Sequence, residues 1–226
     1  MGALRFAVFA SGRGTNFQAL ADAAGQDRLE GASLELLVCD KPESPVAERA
    51  KRAGIDTLLF RPKEYPTREA YEREIYAELQ RRGIGLIVLA GYMRIITPVL
   101  VEPYYGRMIN VHPSLLPAFP GVSGIRQALD YGVKLTGVTV HFVDGGLDSG
   151  PIIAQRAVEV LDGDTEAALA ARIHAAEQEL LPWVVQRIAA GAVRLDGRIV
   201  TITDAGTGAD ADAGAASGAG SGQSAT

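Results

Sequence analysis

The chain has 226 residues, 47% hydrophobic and 22% charged, with a formal net charge of -5. That is a soluble globular composition with room for one α/β domain and a substantial core. The acidic balance lends no support to a nucleic-acid partner, no cluster of Lys and Arg argues for an anionic membrane surface, and no apolar run is long enough to span a bilayer.

Cysteine usage narrows the compartment. Cys39 is the single cysteine, so neither an intrachain disulfide nor a multi-cysteine zinc site can form. The expectation is a cytoplasmic, enzyme-sized domain in a reducing environment.

Leu4 to Ala10 is a short, mostly apolar run closed by a glycine-rich turn, the pattern of a buried parallel strand. Ser11-Gly12-Arg13-Gly14-Thr15-Asn16 follows and opens a helix over Asn16 to Ala24. Glycines let the backbone turn tightly and approach a ligand, and the free amides of a helix start face an anion. An ordinary strand-to-helix turn also favours Gly and Asn. Two glycines, a hydroxyl and an amide together favour a phosphate. The dinucleotide fingerprint wants a third glycine where Phe17 stands, and an acid near the end of the second strand, for which Asp40 could serve. The Walker lysine is absent, and a monophosphate fits better than a pyrophosphate.

Ser33 to Asp40 reads as a second strand, Pro45 to Ala53 as a helix with proline in its first turn, and Asp56 to Phe60 as a third strand. Thr67 to Arg82 is a helix capped by Thr67, with Tyr71, Ile75 and Leu79 every four residues and Gly83 ending it. Leu86 to Ala90 is a fully apolar fourth strand. Tyr92-Met93-Arg94-Ile95-Ile96 follows it, where ligands sit in a doubly wound sheet, outside the carboxyl ends of strands. A plain core connection would read the same way.

Arg107 to His112 is the fifth strand. Asn110 and His112 lie two apart, so they share a face, and Pro113 stops the strand just beyond them. A neutral amide that can hold an oxyanion, beside a group that moves protons near neutral pH, is equipment for acyl transfer.

Leu135 to Val143 and Ile152 to Val160 are two more strand-like runs, joined by a glycine-rich loop short enough for an antiparallel step. In that loop Asp148 is the candidate partner for His112, because a nearby carboxylate favours an imidazolium. Spacing alone favours an ordinary Asx turn there. Asp144 and Asp148 do not meet the EF-hand pattern. His141 shares a face with Thr139 and Val143 and reads as a hydrogen-bonded supporting residue; His174 reads as surface or ligand-edge. Three scattered histidines make no metal site.

Thr165 to Ala190 is a long helix with Leu169, Ile173, Leu180 and Val184 on one face, which Pro182 should bend. From Ala205 the chain is almost wholly Ala, Gly, Ser, Thr and Asp, a composition expected to be disordered. The expected organisation is one domain, 1–204, and a tail, 205–226. Strands alternating with helices give right-handed βαβ units, hence a parallel sheet with helices on both faces.

Four stretches together resemble a known family in order and spacing: Ser11 to Asn16, Leu89 to Ile95, Asn110 to Gly121 and Gly137 to Gly150. Asn110-Val111-His112-Pro113-Ser114-Leu115-Leu116-Pro117 resembles the motif of the formyltetrahydrofolate-dependent transferases. The Ser11 to Asn16 loop narrows the resemblance to the phosphoribosylglycinamide formyltransferases, and it covers Leu4 to Ile202. It implies a three-layer α/β/α fold with a mostly parallel, seven-stranded mixed sheet, which agrees with the seven runs above. It implies a catalytic trio of Asn110, His112 and Asp148. Ribonucleotide binding would fall on Arg13, Gly14, Thr15, Asn16 and Phe17, with Glu177 on the ribose. Folate binding would fall on Arg68, Met93, Arg94, Ile95, Ile96 and Asn110, and on the loop from Asp144 to Asp148.

The implied reaction carries the formyl group of 10-formyltetrahydrofolate to the amine of glycinamide ribonucleotide in de novo purine biosynthesis. It uses small-molecule substrates, no metal, no nucleic acid and no membrane, in a monomer or homodimer. Three rivals stand beside it: a formyltetrahydrofolate deformylase, which usually carries an N-terminal regulatory domain; a methionyl-tRNA formyltransferase, which usually adds a C-terminal β-barrel; and a non-catalytic nucleotide-binding module or dinucleotide oxidoreductase. One stretch departs from the resemblance. Ser123 and Ile125 stand where many members carry histidine.

Overall fold

The computed structural model describes residues 2–203. The expected tail lies outside the described residues. The elements run β1 (Leu4–Phe9), α1 (Thr15–Gly25), β2 (Ala32–Cys39), α2 (Pro45–Ala53), β3 (Asp56–Leu59), a 3-10 turn (Pro62–Glu64), α3 (Arg68–Arg81), β4 (Leu86–Leu89), α4 (Pro98–Val101), β5 (Met108–His112), α5 (Gly124–Tyr131), β6 (Leu135–Phe142), β7 (Ile152–Glu159), α6 (Glu166–Ala189), β8 (Val193–Asp196) and β9 (Ile199–Ile202).

Seven strands form one sheet in the order β3-β2-β1-β4-β5-β6-β7. The first five pair in parallel, and β6 and β7 are antiparallel additions at one side. The chain reverses direction across the sheet between β1 and β4, so the loops after those strands part and leave a crevice at their carboxyl ends.

Period-two alternation sorts the core into two halves. Phe6 and Val8 of β1 pack with Phe17 and Leu20 of α1 and with Leu169, Ile173, Leu180 and Val184 of α6. Ala7 and Phe9, facing the other way, pack with Tyr71, Ile75 and Leu79 of α3 and with Leu100 of α4. Burying each such side chain contributes about 1.5–3 kcal/mol, an upper range before ordering entropy is counted. On β5 and β6 the first half takes Ile109, Val111, Val138, Val140 and Phe142. Asn110, His112, Thr139 and His141 therefore point to the opposite face, beyond the reach of α3 and α4. The segments that follow β5 and β6 meet them there.

Thr67 and Thr165 cap α3 and α6, accepting from Ala70 and Ala168 N–H at 3.2 Å each. The last helix runs unbroken from Glu166 to Ala189 with Pro182 inside it. The 3-10 turn, α4, α5 and the β8–β9 hairpin are additions to the elements expected from sequence. The hairpin had a readable signal, the alternation Val193-Arg194-Leu195-Asp196 ahead of Gly197. Its Arg198 donates to the Ser149 carbonyl at 2.8 Å and so braces the loop after β6.

Glu72 of α3 is buried and ties that helix to the start of α4. Its carboxylate accepts from the Thr97 N–H at 3.0 and 3.1 Å and from the Thr97 hydroxyl. Burial pushes the Glu72 carboxyl above the ordinary 4.5, against the Thr97 hydrogen bonds. A raised carboxyl holds its proton more tightly folded than unfolded. Its stabilising contribution is therefore complete below the unfolded value and is lost as pH rises through the folded one. Glu72→Gln keeps an acceptor for the Thr97 N–H and offers a donor to its hydroxyl. The variant should match the wild type near pH 4 and be more stable by about 1 kcal/mol at pH 8, the scale of one unbalanced buried polar group. Urea melts at the two pH values check this; a variant less stable at pH 8 would contradict it.

Candidate active site

The open face of β5 and β6 gathers the polar side chains. Asn110 pairs across the strands with His141, and His112 with Thr139, so all four share that face. His112 is buried. Its Nε2 lies 2.8 Å from the Phe119 carbonyl and its Nδ1 3.5 Å from Asp148 Oδ2. A carbonyl only accepts, so Nε2 carries a proton. Nδ1 faces the Asp148 carboxylate.

Asp148 is the hub. Besides His112, its Oδ1 accepts from Asn110 Nδ2 at 3.3 Å and lies 3.7 Å from His141 Nε2, and its Oδ2 accepts from the Gly121 N–H at 2.7 Å. Burial works to raise this carboxyl. The His141 imidazole, the Gly121 N–H and the charge of His112 outweigh it and hold the carboxyl below the ordinary 3.8. These partners all lie outside Asp148's own loop, whereas Asp144 bonds within it: its Oδ1 accepts from the Gly146 N–H and from the Ser149 hydroxyl.

Two loops are pinned to make this cluster. Thr139 Oγ1 donates to the Ser114 carbonyl and accepts from the Leu116 N–H and from Gln155, fixing the segment after β5. The loop after β6 is held at Gly150, where a Cβ would sit 1.8 Å from the Phe142 carbonyl oxygen. Non-glycine left-handed residues cluster here too: Phe119 (φ 55), Ser123 (φ 64) and Asp148 (φ 48). Such backbone costs about 1 kcal/mol or more at each residue and persists where surrounding contacts over-determine it.

His141 was expected only as support. Its Nδ1 donates to the Phe142 carbonyl at 2.8 Å, and its Nε2 lies 3.3 Å from Asn110 Nδ2 and 3.7 Å from Asp148 Oδ1. Asn110 Nδ2 thus makes long contacts, at 3.3 Å each, to His141 and Asp148. Contacts at that length are weak and readily exchanged for a stronger, charge-assisted one.

The first loop is a second cluster at the same sheet edge. Helix α1 starts at Thr15, one residue earlier than the periodicity predicts, with Gly14 left-handed at its cap and no side-chain cap. The first amides of such a helix have no intrahelical partner. Asn16 Nδ2 donates to Glu177 Oε2 at 2.9 Å, and His174 Nδ1 lies 3.1 Å from the same oxygen. Asn16 and Glu177, 161 positions apart, are brought together by this bond. Phe17 is wholly buried in the core, so only its backbone N–H can face a ligand. Arg13 is exposed.

Gly14 has φ 72, and a Cβ there would lie 2.4 Å from Val46 Cγ2. Gly14→Ala therefore combines left-handed strain of about 1–2 kcal/mol with overpacking of about 1–3 kcal/mol. The variant should melt lower and bind ribose 5-phosphate at least tenfold more weakly, as calorimetry and thermal melts can measure. Unchanged binding would show that the loop does not meet the phosphate.

The segment after β4 borders both clusters. Ser11 Oγ accepts from the Met93 N–H at 2.9 Å, joining it to the first loop. Met93 and Ile95 are 67% and 69% exposed, while Ile96 packs into the core beside Tyr92. Exposed Val122 and Leu147 stand on the two loops that meet at Gly121 and Asp148. Arg94 Nε donates to Asp40 Oδ2 at 2.7 Å, and the Asp40 side chain is fully buried. The possibility that Asp40 serves a dinucleotide ribose is thereby corrected: an arginine already holds it. Arg68 stands exposed at the start of α3. At the departing stretch, Ser123 is the left-handed residue before α5 and Ile125 packs against the core.

The formyl transferase family matches residues 4–185. The phosphoribosylglycinamide formyltransferase of Bacillus subtilis (strain 168) is 47% identical over 184 residues, covering 81% of this chain and 94% of that protein. The trifunctional purine biosynthetic protein adenosine-3 of Drosophila pseudoobscura pseudoobscura is 44% identical over 84% of this chain, which spans only 14% of that longer protein. Glycinamide ribonucleotide transformylase 1 from Symbiobacterium toebii superposes with a TM-score of 0.87 at 43% identity, covering 89% of this chain and 95% of that one.

Proposed function

The chain belongs to the formyl transferase family, and on that premise we propose that Asn110, His112 and Asp148 carry the transfer of a formyl group from 10-formyltetrahydrofolate to the amine of glycinamide ribonucleotide, a step of de novo purine biosynthesis. The observation that carries this reading is the single carboxylate of Asp148 shared by His112, Asn110 and the Gly121 N–H on the open sheet face.

The neutral amine attacks the formyl carbon, and the carbonyl oxygen becomes an oxyanion. Asn110 gives up a 3.3 Å contact to donate to it, and protonated His112 supplies the second donor from Nδ1, exchanging its longer 3.5 Å approach to Asp148. The attacking nitrogen loses a proton, the folate N10 gains one, and the bond between N10 and the formyl carbon breaks. Asp148 holds His112 and passes these protons through water. Products are the formylated amine and tetrahydrofolate, so no covalent enzyme intermediate is needed. Holding both substrates in one cleft contributes several kcal/mol through proximity alone.

The amide-rich loop at Gly14, Thr15 and Asn16 takes the ribonucleotide phosphate, with Glu177 on the ribose. Met93, Ile95, Val122 and Leu147 offer apolar surface to the folate ring, with Ile96 packed behind them. Exposed Arg68 suits its anionic tail, and Arg94, anchored on Asp40, fixes the segment after β4. No helix among the described residues is long and apolar enough to cross a membrane. A cytoplasmic monomer or homodimer acting on small molecules fits this reading, in a domain over 1–204.

The decisive assay mixes purified protein, glycinamide ribonucleotide and 10-formyltetrahydrofolate. Formylated ribonucleotide and tetrahydrofolate should form in equal amounts. Formate release without formylated product would identify a deformylase, and no reaction under saturating conditions would sink the reading.

A further inference from the structure

Helix α2 grips the first loop by its carbonyl oxygens. The Val46 N–H donates to the Gly12 carbonyl at 3.2 Å, and Arg49 Nε donates to the Arg13 carbonyl at 2.8 Å. Arg49 Nη1 also reaches Gln18 Oε1 on α1 at 3.2 Å. Each peptide unit here is planar and trans, so its N–H points opposite to its C=O. Turning the Gly12 and Arg13 carbonyls toward α2 therefore aims the N–H groups of Arg13 and Gly14 away from it, on the side opposite α2.

Arg49 adds charge as well as direction. Both of its acceptors are neutral, so they leave the guanidinium charge unmatched. A cleft of about 470 Å³ opens beside it, lined by Thr15, Gln18, Arg28 and Arg49 at the loop end and by the carboxylates of Asp22 and Glu179 farther along. A long-range positive charge next to oriented amides raises the local concentration of an anion.

We infer that Arg49 is a positioning residue for the phosphorylated substrate: it aims the Gly14 N–H by holding the Arg13 carbonyl, and its charge draws the phosphate to the loop. This rests on the reading of Ser11 to Asn16 as the phosphate loop. Arg49 touches no reacting atom, so it acts on binding and leaves the chemical step alone. Lysine keeps the charge and can hold one carbonyl, but it lacks the planar fork that bridges Arg13 and Gln18.

The test compares the wild type with Arg49→Gln and Arg49→Lys. Binding of ribose 5-phosphate is measured by calorimetry, and both Michaelis constants and kcat by formyl transfer. Arg49→Gln should raise the ribonucleotide KM and the ribose 5-phosphate Kd about tenfold, and Arg49→Lys about threefold. The folate KM and kcat should stay within twofold. Raising the salt should weaken ribonucleotide binding more steeply in the wild type than in Arg49→Gln. Wild-type affinity retained in Arg49→Gln would overturn the inference. So would equal losses for both substrates with a lowered melting temperature in both variants, the mark of a merely structural arginine. Failure of the wild type itself to bind ribose 5-phosphate would overturn the loop reading, and this inference with it.

Discussion

Asn110→Ala is expected to lower kcat about 10²–10³-fold, the usual loss when one preorganised oxyanion donor is removed. The effect should fall on turnover, because the free protein spends this amide on weak 3.3 Å contacts to His141 and Asp148 and strengthens it only when charge develops. Both Michaelis constants should stay within about threefold. Steady-state kinetics with each substrate varied in turn make the measurement. A variant that raised either Michaelis constant with kcat intact would make Asn110 a binding residue and move the oxyanion site elsewhere.

Asp148→Asn should lower kcat about 10²-fold while both substrates still bind, a loss typical of impaired proton handling by a positioned group. The asparagine keeps the shape and an acceptor for the Gly121 N–H, but it removes the charge facing His112 and His141. Acid titration adds a second readout. The Asp148 carboxyl is held below 3.8. Its contribution to stability is therefore present above the ordinary carboxyl value and lost as pH falls through the folded value. The difference in melting temperature between wild type and Asp148→Asn should persist at pH 6 and shrink on acidification below 3.8. Near-normal turnover in the variant would leave Asn110 and His112 to act without it.

Much of the architecture could be read from local pattern. The seven strands fall where apolar runs and alternation predict them, and α3 follows its four-residue recurrence of Tyr71, Ile75 and Leu79 between Thr67 and Gly83. The pairing of Asn110 with His112 on one face needed only the two-residue period of a strand. Such signals are short-range. They come from backbone geometry acting over a few residues, so one segment carries them whole. The hairpin at Asp196-Gly197 was equally local and readable.

Other features depended on segments far apart in the chain. Asp148 lies 38 positions from Asn110, and its own loop would accept either an Asx turn or a catalytic partner. The antiparallel placement of β6 beside β5 brings it back, with Gly150 pressed against Phe142 and Arg198 holding the loop from outside. Glu177 meets Asn16, and His141 joins the trio, for the same reason. Asp40 looked free for a ribose until Arg94 closed on it, and Phe17 belonged to a binding loop until packing drew its ring into the core. Alternation states which residues are buried, but not which strand neighbours which. Strand order follows from the packing of whole layers, and the convergence of loops at the site follows from strand order.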